Sequence, residues 1–286
     1  MPQNLRTLKS RIKTAKNIAQ LAKTLEMVSV AKIRRARTLA ETVRPYAERI
    51  TSLGDTAIRS VAPGEFVHSY LGPAKPDGKR VLLVIGPDKG LCGPLVSNLV
   101  RRLFDEDSPD TQIISVGKRM EAAAARIAGS RLVASFPVGS RLPEYSLVYD
   151  LVLAINELIF SGKADRLDVL YTRFISYFTQ TPTVDHVLPL VPEPAPTEPE
   201  SQRPHTIEPD LAGLLTALLP HYLEVRLFDA VIQAYSSEHG ARMVAMQNAK
   251  KNALDIAESF TLLYNKTRQE RITNEILDLA NTGKRA

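Results

Sequence analysis

The sequence predicts an α/β plus coiled coil fold: a long antiparallel two-helix coiled coil built from the N- and C-terminal segments, with a central Rossmann-like α/β domain between them. Three observations predict it. Both ends of the chain are long stretches poor in glycine and proline, with apolar residues stepping by three and four. The middle alternates short apolar runs with amphipathic ones, the grammar of an α/β layer domain. The 286 residues also exceed what a single compact core normally serves, so more than one structural unit is expected.

The N-terminal helix is expected from Leu5 to about Ile58, a stretch with no glycine before Gly54 and Pro45 as its internal proline. Leu5, Leu8, Ile12, Ala15, Ala19 and Ala22 form one seam, and Ile33, Ala36, Ala40, Val43, Ala47 and Ile50 resume it. Glu26 and Ser29 interrupt the seam and read as solvated breaks of register. A helix of about 50 residues extends roughly 75 Å, wider than a compact domain, so part of it is expected to project. Pro45 removes one backbone donor and is expected to bend or weaken the helix near Arg44. The C-terminal third supplies the partner helix. Its seam runs Val225, Phe228, Ile232, Tyr235, then Met246, Ala249, Ala253, Ile256, Phe260 and Leu263, with His239 and Arg242 as polar interruptions. The many alanines predict closely approaching axes that bury less area than leucines would.

Between the helices, Arg80 to Gly86 reads as a buried strand, Leu95 to Phe104 as an amphipathic helix and Thr111 to Val116 as a second strand. Lys118 to Ala128 reads as an alanine-rich helix, Arg131 to Phe136 as a third strand, Tyr145 to Phe160 as a helix and Leu167 to Phe178 as a strand. Prolines 189, 192, 194, 196, 199 and 204, interspersed with glutamates, predict an extended surface loop over 189–204. The expected domain bounds are 1–62 for the first coiled-coil helix, 78–205 for the α/β domain and 208–284 for the second helix.

Composition excludes several classes. With 44% hydrophobic and 24% charged residues the chain is not a disordered polymer. A single cysteine, Cys92, rules out an internal disulfide, and with no apolar leader at the start a reducing, cytosolic setting is expected. The clearest apolar runs, Val81 to Ile85 and Leu211 to Leu219, fall far short of the roughly 20 residues a bilayer span needs, so any membrane association is expected to be peripheral. Charge is uneven: residues 1–60 hold 13 Lys and Arg against 4 Asp and Glu, in a chain of net charge +6. Such a basic segment suits nucleic acid, anionic lipid or an acidic protein surface.

No motif points to catalysis. Gly86-Pro87-Asp88-Lys89-Gly90-Leu91-Cys92-Gly93 occupies the strand-to-helix position where phosphate loops live, yet it matches neither G-x-x-x-x-G-K-[ST] nor G-x-G-x-x-G, and a tight structural turn is the plainer reading. Cys92 lacks a sequence-adjacent base and reads as a buried small side chain. The five histidines have no metal spacing and read as surface or capping groups, and Asp165 and Asp168 as surface groups flanking a strand. Catalytic residues, cofactors and metals are therefore expected to be none. The basic helix, with Lys23, Lys32, Arg34, Arg35 and Arg37, has no aromatic residue before Ala40 to stack on bases, so an acidic protein partner fits better than nucleic acid. Two alternatives stand beside this: a nucleotide-binding α/β protein and a basic coiled-coil adaptor.

Several segments match one family in order: Leu25-Glu26-Met27-Val28-Ser29, Lys32-Ile33-Arg34 and Arg44-Pro45-Tyr46-Ala47 near the start, and Asp88-Lys89-Gly90-Leu91-Cys92-Gly93 in the middle. Ile207-Glu208-Pro209-Asp210, Ser237 to Met246, Leu263 to Gln269 and Ile272-Thr273-Asn274-Glu275 follow at the end. On these segments the chain resembles the gamma subunit family of the rotary F-type ATP synthase. It departs at Pro94, where the family commonly has glycine, at Asn17 to Ala22, and in the length of the proline-rich segment. The regulatory cysteine pair of the chloroplast form is absent, which implies a bacterial-type subunit. The resemblance implies a non-catalytic rotor in the central stalk, coupling ion flow through the membrane ring to ATP synthesis at the beta subunits. It implies alpha, beta and epsilon subunits and the c-ring as partners, no nucleic acid, no direct membrane span, and a peripheral position on the cytoplasmic face of the bacterial cell membrane. By the same resemblance, Arg268, Gln269, Thr273 and Glu275 match the cluster that engages a beta catch loop. Lys23, Leu25, Lys32, Arg34 and Arg35 match the surface facing the acidic beta lever, and His205, Ile207 and Glu208 match contacts of the foot with epsilon or the ring.

Overall fold

A computed structural model describes residues 5–61, 66–71, 78–139, 141–190 and 210–283. Helix α1 runs Leu5–Arg59 without a break and contains Pro45. Pro45 lies on the exposed side, where water can serve the carbonyl left without a donor, so the helix continues through it. Helix α5 runs Leu211–Gly283, and its start is capped by Asp210, whose Oδ1 accepts the Gly213 N–H at 2.6 Å. The predicted pair of terminal helices is present. The chain forms two compact units, residues 1–29 with 242–286 and residues 30–241.

In the first unit the buried residues are Leu8, Ala15, Ala19, Ala22 and Ser29 of α1 and Arg242, Met246, Ala253 and Ala257 of α5. Two cross-helix contacts fix the direction. Lys250 Nζ lies 2.6 Å from Glu26 Oε2, and the Arg11 guanidinium sits 5.6 Å from the centre of the Phe260 ring. As one helix ascends the other descends, which makes the pair antiparallel. Two expectations need correction. Glu26 and Ser29 are not solvated breaks: Ser29 is buried with its hydroxyl donating to the Leu25 carbonyl at 2.8 Å, and Glu26 is half-buried in the ion pair. Ile256 is 49% exposed while Ala257 takes its place, because a step of four from Ala253 keeps the seam facing α1 better than a step of three.

The second unit is built on a five-stranded sheet of order β3-β2-β1-β4-β5. Its strands are β1 (Arg80–Ile85), β2 (Thr111–Val116), β3 (Leu132–Phe136), β4 (Arg166–Phe174) and β5 (Gln180–Leu188). The first four pair in parallel and β5 is antiparallel to β4. Helices α2 (Leu95–Glu106) and α3 (Lys118–Ala128) cover one face, where they meet Leu82, Val84 and Leu170. Helix α4 (Ser146–Phe160) and the second unit's parts of α1 and α5 cover the other, against Val81, Leu83, Ile85 and Val169. Alternate residues of one strand thus feed opposite cores, which explains why β1 reads as a continuous apolar run.

The sequence reading merges β4 with the following turn and misses β5. That strand is an edge, carries Pro182, Asp185 and His186, and has few fully buried positions, so it lacks the apolar signature of its neighbours. The tight turn before α3 needs Gly117, whose φ is 99° and whose Cα faces the Gly86 carbonyl so closely that no side chain fits. Similarly, Gly54 of α1 lies against the Tyr222 ring, and beside it Tyr222 donates to Asp55 Oδ1 at 3.1 Å.

Asp168 is also corrected. It is fully buried, paired with the guanidiniums of Arg80 at 2.6 Å and Arg166 at 2.7 Å and within hydrogen-bond distance of His186 Nδ1 at 2.6 Å. His239 is likewise buried, its ring edge-on to Tyr235 at 4.5 Å. Most of the 189–204 segment lies outside the described residues.

Candidate partner-binding surfaces

Open α/β sheets bind ligands where the strand order reverses, outside the carboxyl ends of the strands. Here that point lies between β1 and β4, and α5 fills it. Ser237 donates to the Thr172 carbonyl at 2.8 Å, Gly240 abuts Phe174, and Ala241 packs with Val84 and Leu170. The glycine-bearing segment after β1 is similarly occupied from within. Asp88 accepts the Lys118 N–H at 2.8 Å, at the start of α3, and the Gly139 N–H at 2.6 Å. A phosphate would want those amides, and a carboxylate of the chain already has them. In the same turn Cys92 is buried, as expected, while Leu91 takes a left-handed backbone with φ 63° and holds its side chain 64% exposed. The geometry favours a structural turn over a nucleotide site.

The strongest features are surfaces. Arg268, Gln269, Thr273 and Glu275 are all exposed near the end of α5. At about 100° per residue they fall on one side of the helix with Ile272 and Ile276 between them, themselves 44% and 60% exposed. Glu275 is held by Arg271 at 2.8 Å and the Thr273 hydroxyl donates to the Gln269 carbonyl, while among the described residues the Arg268 guanidinium has no carboxylate partner. A cation, an amide and two isoleucines thus share one exposed side of α5.

The basic residues of α1 divide between the two units. Lys23 and Leu25 are exposed in the first. In the second, Arg34 and Arg35 are exposed and Lys32 is half-buried. Arg37 and Arg44 belong to α1's basic count but are paired within the helix, with Glu41 at 3.0 Å and Glu48 at 2.6 Å. Lys32 and Arg35 line a groove of about 770 Å³ together with Arg141, Leu39, Val43, Tyr145, Phe228 and Tyr235. Sequence reading missed Arg141, which is remote in the chain and reaches the groove through the turn before α4. His205, Ile207 and Glu208 lie outside the described residues.

A family model described as ATP synthase matches residues 4–284. A curated ATP synthase gamma chain from Roseiflexus castenholzii is 38% identical over 288 residues, covering 96% of each chain. One from Dehalococcoides mccartyi is 34% identical over 279 residues at the same coverage. The chain belongs to the ATP synthase gamma-chain family. Solved structures share the fold. A chain in the Euglena gracilis mitochondrial ATP synthase OSCP/F1/c-ring structure superimposes with a TM-score of 0.69 at 20% identity, covering 98% of this chain and 93% of that one. A chain in the Tetrahymena thermophila central stalk and c-ring structure gives 0.60 at 18% identity, covering 80% and 99%. Gamma-chain membership therefore extends over both helices and the sheet, and not over one motif.

Proposed function

We propose that this chain is the central-stalk rotor of an F-type ATP synthase, itself non-catalytic, whose rotation couples ion flow through a membrane c-ring to ATP synthesis or hydrolysis at beta subunits. The observation that carries the reading is identity of 34–38% with gamma chains across 96% of both partners, so every part of the fold has its counterpart in the family. The paired helices of residues 1–62 and 208–284 serve as the shaft and the α/β domain of residues 78–205 as the foot. A rod that is different on each side favours a different conformation in each catalytic subunit it faces, which is coupling by shifted populations. The occupied crevice supports a non-catalytic role, because α5 and Asp88 fill the places where this architecture otherwise seats ligands.

Alpha, beta and epsilon subunits and the c-ring are the partners on this reading. Arg268, Gln269, Thr273 and Glu275 engage a beta catch loop; Lys23, Leu25, Lys32, Arg34 and Arg35 face the acidic beta lever; His205, Ile207 and Glu208 belong to the foot. The chain is peripheral on the cytoplasmic face of a bacterial membrane. Residues 211–277 of α5 are long and apolar enough by composition to cross a bilayer, with a window of mean hydropathy 1.2, but half of that window is buried in protein, as in the core helix of a soluble domain.

Arg268→Ala with Gln269→Ala tests the reading. In membranes carrying the reassembled enzyme, ATP synthesis driven by an ion gradient is expected to fall severalfold while thermal unfolding of the isolated chain is unchanged, both side chains being exposed. Wild-type synthesis rates would remove these residues from the coupling path.

A further inference from the structure

The groove shared by Lys32, Arg35 and Arg141 lies wholly within the second unit. Its volume, about 770 Å³, is that of a site for a small molecule, which runs to roughly 300–1,000 Å³. The lining is graded. Phe228 and Tyr235 are each only 5% exposed, Tyr145 is half-buried, and Arg35 and Arg141 are exposed. The rings are also held before anything binds. The Tyr145 hydroxyl donates to Glu224 Oε2 at 3.1 Å, and its ring meets Phe228 at 5.1 Å and Tyr149 at 5.3 Å. The Tyr235 ring meets His239 edge-on at 4.5 Å. A site built in advance costs its ligand less ordering on binding.

Charge and ring content decide what fits. The lining carries three cations, Lys32, Arg35 and Arg141, against one carboxylate, Glu144. Arg35 takes no part in the ion pairs that occupy Arg37 and Arg44 on the same helix, and among the described residues neither Arg35 nor Arg141 has a carboxylate partner. Planar guanidiniums present paired N–H groups that match a carboxylate, sulfonate or phosphate. The three rings offer an aromatic body faces and edges to pack on. Self-pairing through a twofold axis would instead set the cations against their own copies. We propose that the groove is a binding site for a small aromatic anion, a ring system with one acidic group. Its rings lie against Tyr145, Phe228 and Tyr235, and its acidic group is taken by Arg35 and Arg141. On the rotor reading Lys32 and Arg35 also face the beta lever, so an occupant competes with that contact, but the site itself does not depend on that reading.

Titrating the full chain with 8-anilinonaphthalene-1-sulfonate, which brightens in an apolar site, tests this, and saturable binding is expected. Arg35→Glu with Arg141→Glu should weaken it about tenfold or more at low salt, by a factor that shrinks as salt is raised. Arg35→Gln with Arg141→Gln should weaken it less. Arg101→Glu with Arg126→Glu, charge reversals on α2 and α3 outside the groove, should leave it unchanged. All these side chains are exposed, so every variant should keep the wild-type melting temperature. The uncharged N-phenyl-1-naphthylamine, the same rings without the sulfonate, should bind more weakly and ignore the reversals. Absence of saturable binding overturns the proposal. So does binding that survives both changes at Arg35 and Arg141, an equal loss in the Arg101 and Arg126 variant, or equally tight binding of the uncharged probe. Dodecanoate displacing the sulfonate at lower concentration than 1-naphthoate does would give the groove to an aliphatic acid and overturn the aromatic assignment.

Discussion

In the first unit, α1 buries Leu8, three alanines and Ser29, and α5 adds Arg242, Met246 and two alanines. In the second, the same two helices bury Ile33, Leu215, Leu219, Tyr222, Leu223, Leu227, Phe228 and Val231, and the sheet adds a full layer of Val, Leu and Ile. At about 25 cal/mol per Å² of apolar surface, an alanine seam stabilises far less than a leucine one of equal length. So lean a seam gives the first unit less hydrophobic stabilisation per turn than the second, and Ile18, Leu21, Met27 and Val28 of α1 stay exposed beside it.

Four experiments break or sharpen the contrast. The largest effect is expected from Leu83→Ala, which empties a fully buried site in the centre of the sheet and should cost about 2–5 kcal/mol in urea unfolding. A cost below about 1 kcal/mol would mean that the second unit is not the stable one. Next is Ala19→Leu, at a buried seam position of the first unit. Overpacking there should cost about 1–3 kcal/mol, read as faster amide exchange in residues 5–29 and 242–277 with the sheet unaffected. If the larger side chain is tolerated at this position, the helices do not approach as closely as the alanines imply.

Smaller again is Glu26→Gln. The Glu26–Lys250 pair is partly exposed, its side chains 21% and 30% accessible, and its removal should cost no more than about 1 kcal/mol, less in high salt. The last effect is absent at neutral pH. Burial pushes Tyr70 and Tyr171 up to about 12, and burial together with Glu224 pushes Tyr145 up further. All three lie in the second unit. Their folded values are raised, so the stability they supply is complete below the ordinary value near 10 and is lost as pH climbs from there toward 12. Phenolate absorbance should therefore rise late and together with sheet unfolding. Early, independent titration of these tyrosines would show that they are less buried than the packing indicates.

Much of the fold was legible because local patterns agreed with tertiary placement. β2 and α3 match their expected bounds, and α1 ends one residue past the expected Ile58. β5 was not legible, since an edge strand with a proline satisfies no apolar template. Asp168 and His239 look like surface groups along the chain, and for Asp168 it is Arg80 and His186, brought by neighbouring strands, that join Arg166 around the buried carboxylate. The candidate surfaces divide in the same way. Spacing alone puts Arg268, Gln269, Thr273 and Glu275 on one side of a helix, but it cannot show that Arg37 and Arg44 are already spoken for or that Arg141 joins Lys32 and Arg35.

Asp88 has one more implication. Its carboxylate holds amides 30 and 51 positions further along the chain, so the turn after β1, the start of α3 and the segment following β3 are clamped into a single plate. In many enzymes the loops around a site must open and close on a substrate. A component that must pass on torque has the opposite need, since any give at the rim would be lost as slack before it reached the next subunit.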